Sequence, residues 1–262
     1  MNRIIEVVIS TIFFIPPGVK KVIFKGPFNR QIDEDDFPDS VKTIIFEEGS
    51  LMNRRICWPR RLKKLKIYGV FNHSSINDLP NTVEKIYCSS SSLLNVTITR
   101  WPTNLKVLHL EYYQPFNKPL INLPQSIKEI QLGDHDLPLP IFPEGLEILV
   151  LGHKYNHPIK KINIPSTIVE LVIGNENWDG KFNEEIETLE HCTKLKRVAI
   201  CNKNYSAKLP KFPNSIEELM ISRNYPDEIA LPTNKVERYN PNYYNSSNAM
   251  CIIISKTLLI FT

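Results

Sequence analysis

The sequence has few of the features that mark a helical or disulfide-bonded protein. It has nine glycines against twenty prolines, and because proline fixes φ and lacks a backbone N–H, long helices cannot fill much of the chain. No apolar run approaches the roughly eighteen residues that a membrane-spanning helix needs. The five cysteines form no CxxC pair, and their odd number argues against a closed set of disulfides. We therefore expect a soluble, cytoplasmic protein without a membrane contact.

The chain also lacks the motifs on which most enzymes depend. It contains no Walker loop, no GxGxxG, no GxSxG and no HExxH. His153, Tyr155 and His157 are close in sequence, but Pro158 prevents a helix that would align them. The acidic run from Asp33 to Asp36 is typical of a solvated turn. We therefore predict a protein that is not an enzyme and has no cofactor, metal site or small-molecule substrate.

What the sequence has in abundance is a repeat. An apolar residue followed by proline recurs mostly every 21 or 22 residues, and Cys192 takes the place of one proline. These anchor positions are Pro16, Pro38, Pro59, Pro80, Pro102, Pro124, Pro143, Pro165, Cys192 and Pro213. Counted from each anchor, positions +3, +6 and +8 are apolar in all ten repeats. Such regularity indicates a structural period.

The spacing within the repeat predicts the fold. Positions +6 and +8 share one face of an extended strand, and +5 and +7 share the other. One such strand cannot bury its apolar face alone, but stacked repeats can build a continuous core. The rest of each repeat is too short and too rich in proline for a regular helix. We predict a β-rich, leucine-rich-repeat-like solenoid, a horseshoe with a parallel concave sheet and a mostly irregular convex side.

The predicted domain organisation follows the repeats. Residues 1–240 are expected to form a single solenoid of about eleven repeats, with a short cap at 1–15. Residues 241–262 are a loop and an apolar tail, either a capping strand, which we favour, or a partner-binding segment. In the long repeat before Cys192, a cap residue, early acids and apolar spacing from Asn183 to Leu189 predict a short helix.

The second half of the repeat has its own motif, an aromatic residue followed by asparagine and often by x-Pro-aliphatic. Its members are Phe28-Asn29, Phe71-Asn72, Phe116-Asn117-Lys118-Pro119, Tyr155-Asn156-His157-Pro158 and, out of phase, Phe182-Asn183. With these motifs the chain resembles the FNIP-repeat family, a subgroup of leucine-rich repeats found in amoebae and their giant viruses. The best match runs from Trp101 to Gly174, and the outer repeats are degenerate.

The resemblance implies a horseshoe fold that binds proteins and has no known chemistry. On physical grounds the aromatic residue should fill the core on the convex side, and the asparagine should satisfy buried turn groups between repeats. Related proteins often carry an amino-terminal F-box that recruits a ubiquitin ligase. The repeats here start at Met1, with Ile4, Val7 and Ile9 at +3, +6 and +8, so we expect no F-box. For a viral member, the cytoplasm would be that of its host.

The solvent-facing +5 and +7 positions are the candidate binding surface. They begin basic, turn acidic past Glu129, and carry an exposed aliphatic seam, which is either an interaction site or a consequence of β-propensity. The candidate partner-binding residues are Lys64, Lys66, Lys85, Tyr87, Val107 and His109. We predict a protein-interaction scaffold that binds through this face.

Two other functions stay open. One is a substrate adaptor for a ubiquitin ligase whose recruiting module acts in trans. The other is nucleic-acid binding, which is less favoured. The net charge is only +4, many lysines, such as Lys20, Lys42 and Lys128, lie at the strand edge, and stacking aromatics are few.

Overall fold

The computed structural model describes residues 6–9, 14–88, 93–94, 96–110, 117–174, 180–222, 225–227, 229, 237–238 and 251–255. The chain divides into two compact units, Met1–His135 and Asp136–Thr262. Where the structure describes the chain, the only helices are short 3-10 turns, at Glu34–Asp36, Ser74–Asp78 and Lys161–Asn163. No helix in these ranges is long and apolar enough to cross a membrane.

The first unit is built on one parallel sheet of short strands. Its strands, in spatial order, are β1 (Glu6–Ile9), β2 (Lys21–Phe24), β3 (Thr43–Phe46), β5 (Lys64–Ile67), β7 (Lys85–Cys88), β9 (Val107–Leu110) and β10 (Glu129–Leu132). Each pairs with the next in strict repeat register, so that Leu65 is opposite Ile86 and Ile86 is opposite Leu108. A second, smaller parallel sheet contains β4 (Leu51–Met52), β6 (Val70–Phe71) and β8 (Leu93–Leu94).

The second unit repeats the arrangement. Its parallel strands are β11 (Ile148–Leu151), β12 (Glu170–Gly174), β13 (Arg197–Cys201) and β14 (Glu218–Ser222). Beyond them, β16 (Cys251–Ser255) pairs antiparallel with β14, and β15 (Glu237–Arg238) pairs with β16. The expectation that residues 241–262 cap the solenoid stays a prediction.

The anchor proline makes the corner before each strand. In all ten repeats the anchor carbonyl accepts a hydrogen bond from the backbone N–H of residue +3, at 2.9–3.3 Å. Cys192 makes the same turn with Leu195. Because this turn uses the anchor's carbonyl, a proline without an N–H fits it. The strand itself begins five residues after the anchor, as at Lys21 after Pro16.

The core consists of the positions predicted from the repeat. All thirty residues at +3, +6 and +8 are at most 2% exposed, including Leu149 and Leu151. On the other side of the core the motif aromatics Phe28, Phe71 and Tyr155 are also buried, as expected from the sequence. The predicted fold class, a leucine-rich-repeat-like parallel β-solenoid with little helix, is therefore correct.

The helix predicted from Asn183 to Leu189 is wrong. The segment is irregular, and Ile186 forms an isolated parallel bridge with Ile159. The Ile159 N–H donates to the Glu185 carbonyl and the Glu187 N–H donates to the Ile159 carbonyl, both at 2.9 Å. Hydrogen bonds to the neighbouring repeat therefore replace the bonds that a helix would form within the segment.

Candidate partner-binding face

The predicted binding residues of the first unit lie together in two rows. Strand register places Lys64 beside Lys85 and Lys85 beside Val107. The second row is Lys66, Tyr87 and His109, two residues further along the same three strands. We call the surface formed by the +5 and +7 positions of β5, β7 and β9 the basic face.

Tyr87 is the centre of the basic face. The Lys64 and Lys66 Nζ atoms lie 5.7 and 5.6 Å from the centroid of its ring, within the range of a cation–π interaction. Lys66 Nζ also donates to the Tyr68 hydroxyl at 3.0 Å. The Tyr87 ring is therefore held by its neighbours without being buried.

His109 lies beside Tyr87 at the other end of the row. Its ring meets Tyr87 edge-on, with centroids 5.0 Å apart. Its Nε2 atom is 2.6 Å from Glu129 Oε1, so the charge of this carboxylate is directed at the histidine. The acidic part of the sheet in the first unit thus begins beside His109.

Most of the aliphatic seam expected on this side of the sheet is buried, and only Ile148 and Val150 in the second unit are partly exposed. Ile23 and Ile45 at +7 in the first unit are buried, as are Val172 and Met220 in the second. In-register strands stack each of these side chains between its equivalents on neighbouring strands. Val107 is only 8% exposed, so little of it is available to a partner. The accessible part of the face consists of its lysine, tyrosine and histidine side chains.

In the second unit an ion-pair row occupies the +5 positions. The Arg197 guanidinium bonds Glu170 at 2.5 Å on one neighbouring strand and Glu218 at 3.0 Å on the other. Its side chain is 26% exposed. The single cation of this row is therefore neutralised from both sides.

Three of the motif asparagines bond the neighbouring repeat, as predicted. Asn29 Oδ1 accepts from the Asn53 N–H at 3.1 Å, and Asn156 Oδ1 accepts from the Asn183 N–H at 2.9 Å. Asn183 Oδ1 in turn accepts from the Ser206 N–H at 2.8 Å. These bonds are exposed, however, so the expectation of buried turn groups is wrong.

The remaining motif residues follow the same division between a buried aromatic and an exposed turn. Asn72, Asn117, Pro119 and Pro158 are exposed, while Phe71 is buried. Phe116 lies outside the described residues.

The aromatic motif extends further than the sequence indicated. Tyr155, Phe182, Tyr205 and Tyr225 stack in one column, with centroids 5.8–6.0 Å apart. Phe182 therefore occupies the same place in its repeat as the other aromatics. The extra residues of this longer repeat precede Phe182 in the sequence. Burial raises the pKa of the Tyr155 and Tyr205 phenols above the ordinary value. The sequence signal for Tyr205 was Tyr205-Ser206, a variant of the aromatic–asparagine pair.

A hydroxyl ladder at position +2 was missed. The Thr82 hydroxyl lies 3.0 and 2.8 Å from the Arg60 and Leu62 carbonyl oxygens of the preceding repeat. Equivalent bonds come from Ser126, Thr167 and Ser215. The signal was present in the sequence: every second repeat has Ser or Thr at +2, at 40, 82, 126, 167 and 215.

The arrangements that could suggest chemistry do not support it. Cys192 Sγ is 3.5 Å from His191 Nε2, but it is buried and also directed at the Pro165 carbonyl. Burial, followed by the charge of Glu144, raises the pKa of the Cys192 thiol to about 12. A protonated, inaccessible thiol is a poor nucleophile. Over the described residues, no three His, Cys, Asp or Glu side chains are grouped to hold a metal ion.

The fold and this face define a parallel β-solenoid of the leucine-rich-repeat kind. The FNIP Repeat family model matches residues 11–49 and 134–176, which confirms the resemblance in those two regions. A comparison with curated proteins finds no significant match. One similar solved structure is "The crystal structure of CroV588 a novel circular LRR protein structure", from a giant virus, at TM-score 0.43 and 15% identity. The alignment covers 83% of this chain and 46% of that one, so this chain spans less than half of that protein's length.

Proposed function

We propose that this protein is a non-enzymatic interaction scaffold that binds a protein partner through the basic face. The observation that supports the proposal is the row of Lys66, Tyr87 and His109, partly exposed and in register on three consecutive strands. Tyrosine is enriched among the interface residues that dominate binding energy, and the neighbouring lysines can steer an acidic partner towards it. Parallel register holds these side chains without the entropy loss of ordering a loop.

The proposal is tested by affinity purification with Tyr87→Ala/His109→Ala against wild type. We expect the specifically co-purified partner to be lost. The melting temperature must stay close to that of wild type, since both side chains are outside the core. Phe14→Ala/Ile162→Ala is the matched control, because both side chains are exposed and neither is one of the residues of the basic face.

Two results would contradict the proposal. One is retention of the partner by the Tyr87/His109 variant. The other is loss of the partner only when the residues after Tyr244 are removed, which would make the tail the recognition element.

A further inference from the structure

The basic face concentrates positive charge that the described residues do not neutralise. Lys64 and Lys66 direct their ammonium groups at the same ring, and Lys85 lies directly beside Lys64 on the next strand. Like charges opposite one another on neighbouring strands destabilise a sheet. Yet in the described part of the chain none of these three lysines makes an ion pair, although each is half-buried.

At other strand positions in this fold, neighbouring carboxylates neutralise the positively charged side chains. Glu84, at +4, lies between two lysines and bonds Lys63 at 2.7 Å and Lys106 at 3.2 Å. Arg197, at +5 in the second unit, has a carboxylate on each side. On the basic face the residues flanking Lys64 are Thr43 and Lys85, so neither neighbouring strand supplies a carboxylate at this position.

We propose that the occupant of the basic face is an acidic, extended segment of a partner protein, with carboxylates between Lys64, Lys66 and Lys85. This inference rests on the proposed function and adds the chemistry of the partner. Alternate side chains of an extended segment point the same way about 6.6–6.8 Å apart. The same two-residue step separates Lys64 from Lys66. An acidic residue at every second position therefore matches the face when the segment runs along β5.

The interaction would be held by charge and by the Tyr87 ring. The lysines attract the segment and fix its register, as complementary charges do at interfaces. The apolar part of the Tyr87 side chain can pack against aliphatic atoms of the segment between its carboxylates. A nucleic acid fits less well, because three lysines and one tyrosine offer no row of stacking aromatics.

The test is fluorescence anisotropy with a labelled synthetic peptide in which glutamate alternates with threonine over about ten residues. We expect Lys64→Gln/Lys66→Gln/Lys85→Gln to weaken binding at least ten-fold. The control, Lys194→Gln/Lys208→Gln/Lys211→Gln, removes three exposed lysines outside the face and should change affinity less than about two-fold. Replacing the three face lysines with arginine should preserve binding, which separates a charge effect from misfolding.

Other outcomes would overturn the inference. An equal loss in both glutamine variants would show attraction by net charge alone. Tighter, lysine-dependent binding of a single-stranded oligonucleotide, or displacement of the peptide by millimolar inorganic phosphate, would show a site for phosphate. If a captured partner depends on Tyr87 and His109 but survives the Lys64/Lys66/Lys85 glutamine change, the proposed function stands and the acidic segment is wrong.

Discussion

Asn156 and Asn183 are linked across neighbouring repeats: the side-chain carbonyl of Asn156 accepts the backbone N–H of Asn183 at 2.9 Å. The residues before them, Tyr155 and Phe182, stack with ring centroids 6.0 Å apart. The aromatic thus fixes the spacing inside the core while the asparagine fixes the turn outside it. One motif therefore aligns both the core and the turn of adjacent repeats.

The first prediction concerns this asparagine ladder. Asn156→Ala and Asn183→Ala should each lower the free energy of unfolding by about 0.5–1.5 kcal/mol, because water can partly replace an exposed hydrogen bond. Asn104→Ala, at an exposed turn position with no side-chain bond in the ladder, should change it by less than about 0.5 kcal/mol. Urea denaturation measures all three. Equal midpoints for Asn183→Ala and wild type would show that the ladder adds nothing.

The second prediction is a pH dependence at Glu84. Hydrogen bonds from Lys63 and then Lys106 lower the pKa of Glu84 from its ordinary value of 4.5. Its stabilising effect is therefore fully present above the unfolded pKa and is lost as the pH falls through the folded one. Because the pairs are partly solvated, Glu84→Gln should cost about 0.5–1 kcal/mol at pH 7, and the difference from wild type should shrink at pH 3.

The control for Glu84 is Glu190→Gln, which removes an exposed carboxylate. Its difference from wild type should stay small at both pH values. A Glu84→Gln variant as stable as wild type at pH 7 would contradict the expected role of these ion pairs.

The third prediction concerns the one anchor that is not proline. Cys192 makes the same turn as the prolines, but its own N–H also donates to the Leu189 carbonyl at 2.9 Å. Cys192→Pro should therefore destabilise the chain by about 1–3 kcal/mol through loss of this bond. Cys192→Ala keeps the bond and should cost only about 1 kcal/mol of lost burial. A lower melting temperature for Cys192→Ala than for Cys192→Pro would contradict this prediction.

The sequence correctly predicted the features that depend on the repeat period. Its predictions failed where a side chain can bond either its own segment or a neighbouring repeat. The buried positions of Leu149 and Leu151 followed from spacing alone, because one offset sets the inward face of every strand. The helix at Asn183 failed because the capping side chain bonds the next repeat at Ser206 instead of its own segment. That competition is between residues more than twenty positions apart, which local propensity does not include.

The basic face shows the same division. Its register could be predicted, because every strand begins at the same distance from its anchor. The convergence of Lys64 and Lys66 on the Tyr87 ring could not, since it depends on side-chain conformation. The burial of Ile45 was also missed, because alternation predicts which way a side chain points and not how closely its neighbours cover it.

Because a hydroxyl occupies position +2 only in every second repeat, the pattern of side-chain hydrogen bonds repeats every two structural repeats. Thr82 and Ser126 each bond the carbonyls of the repeat before them, and that repeat has Arg61 or Asn104 at the same place. A pair of repeats, roughly 43 residues long, is therefore the smallest segment whose ends carry matching partners. Lengthening or shortening this protein by recombination should therefore succeed more readily in steps of two repeats. Adding or removing a single repeat would place two repeats with a +2 hydroxyl, or two without one, next to each other.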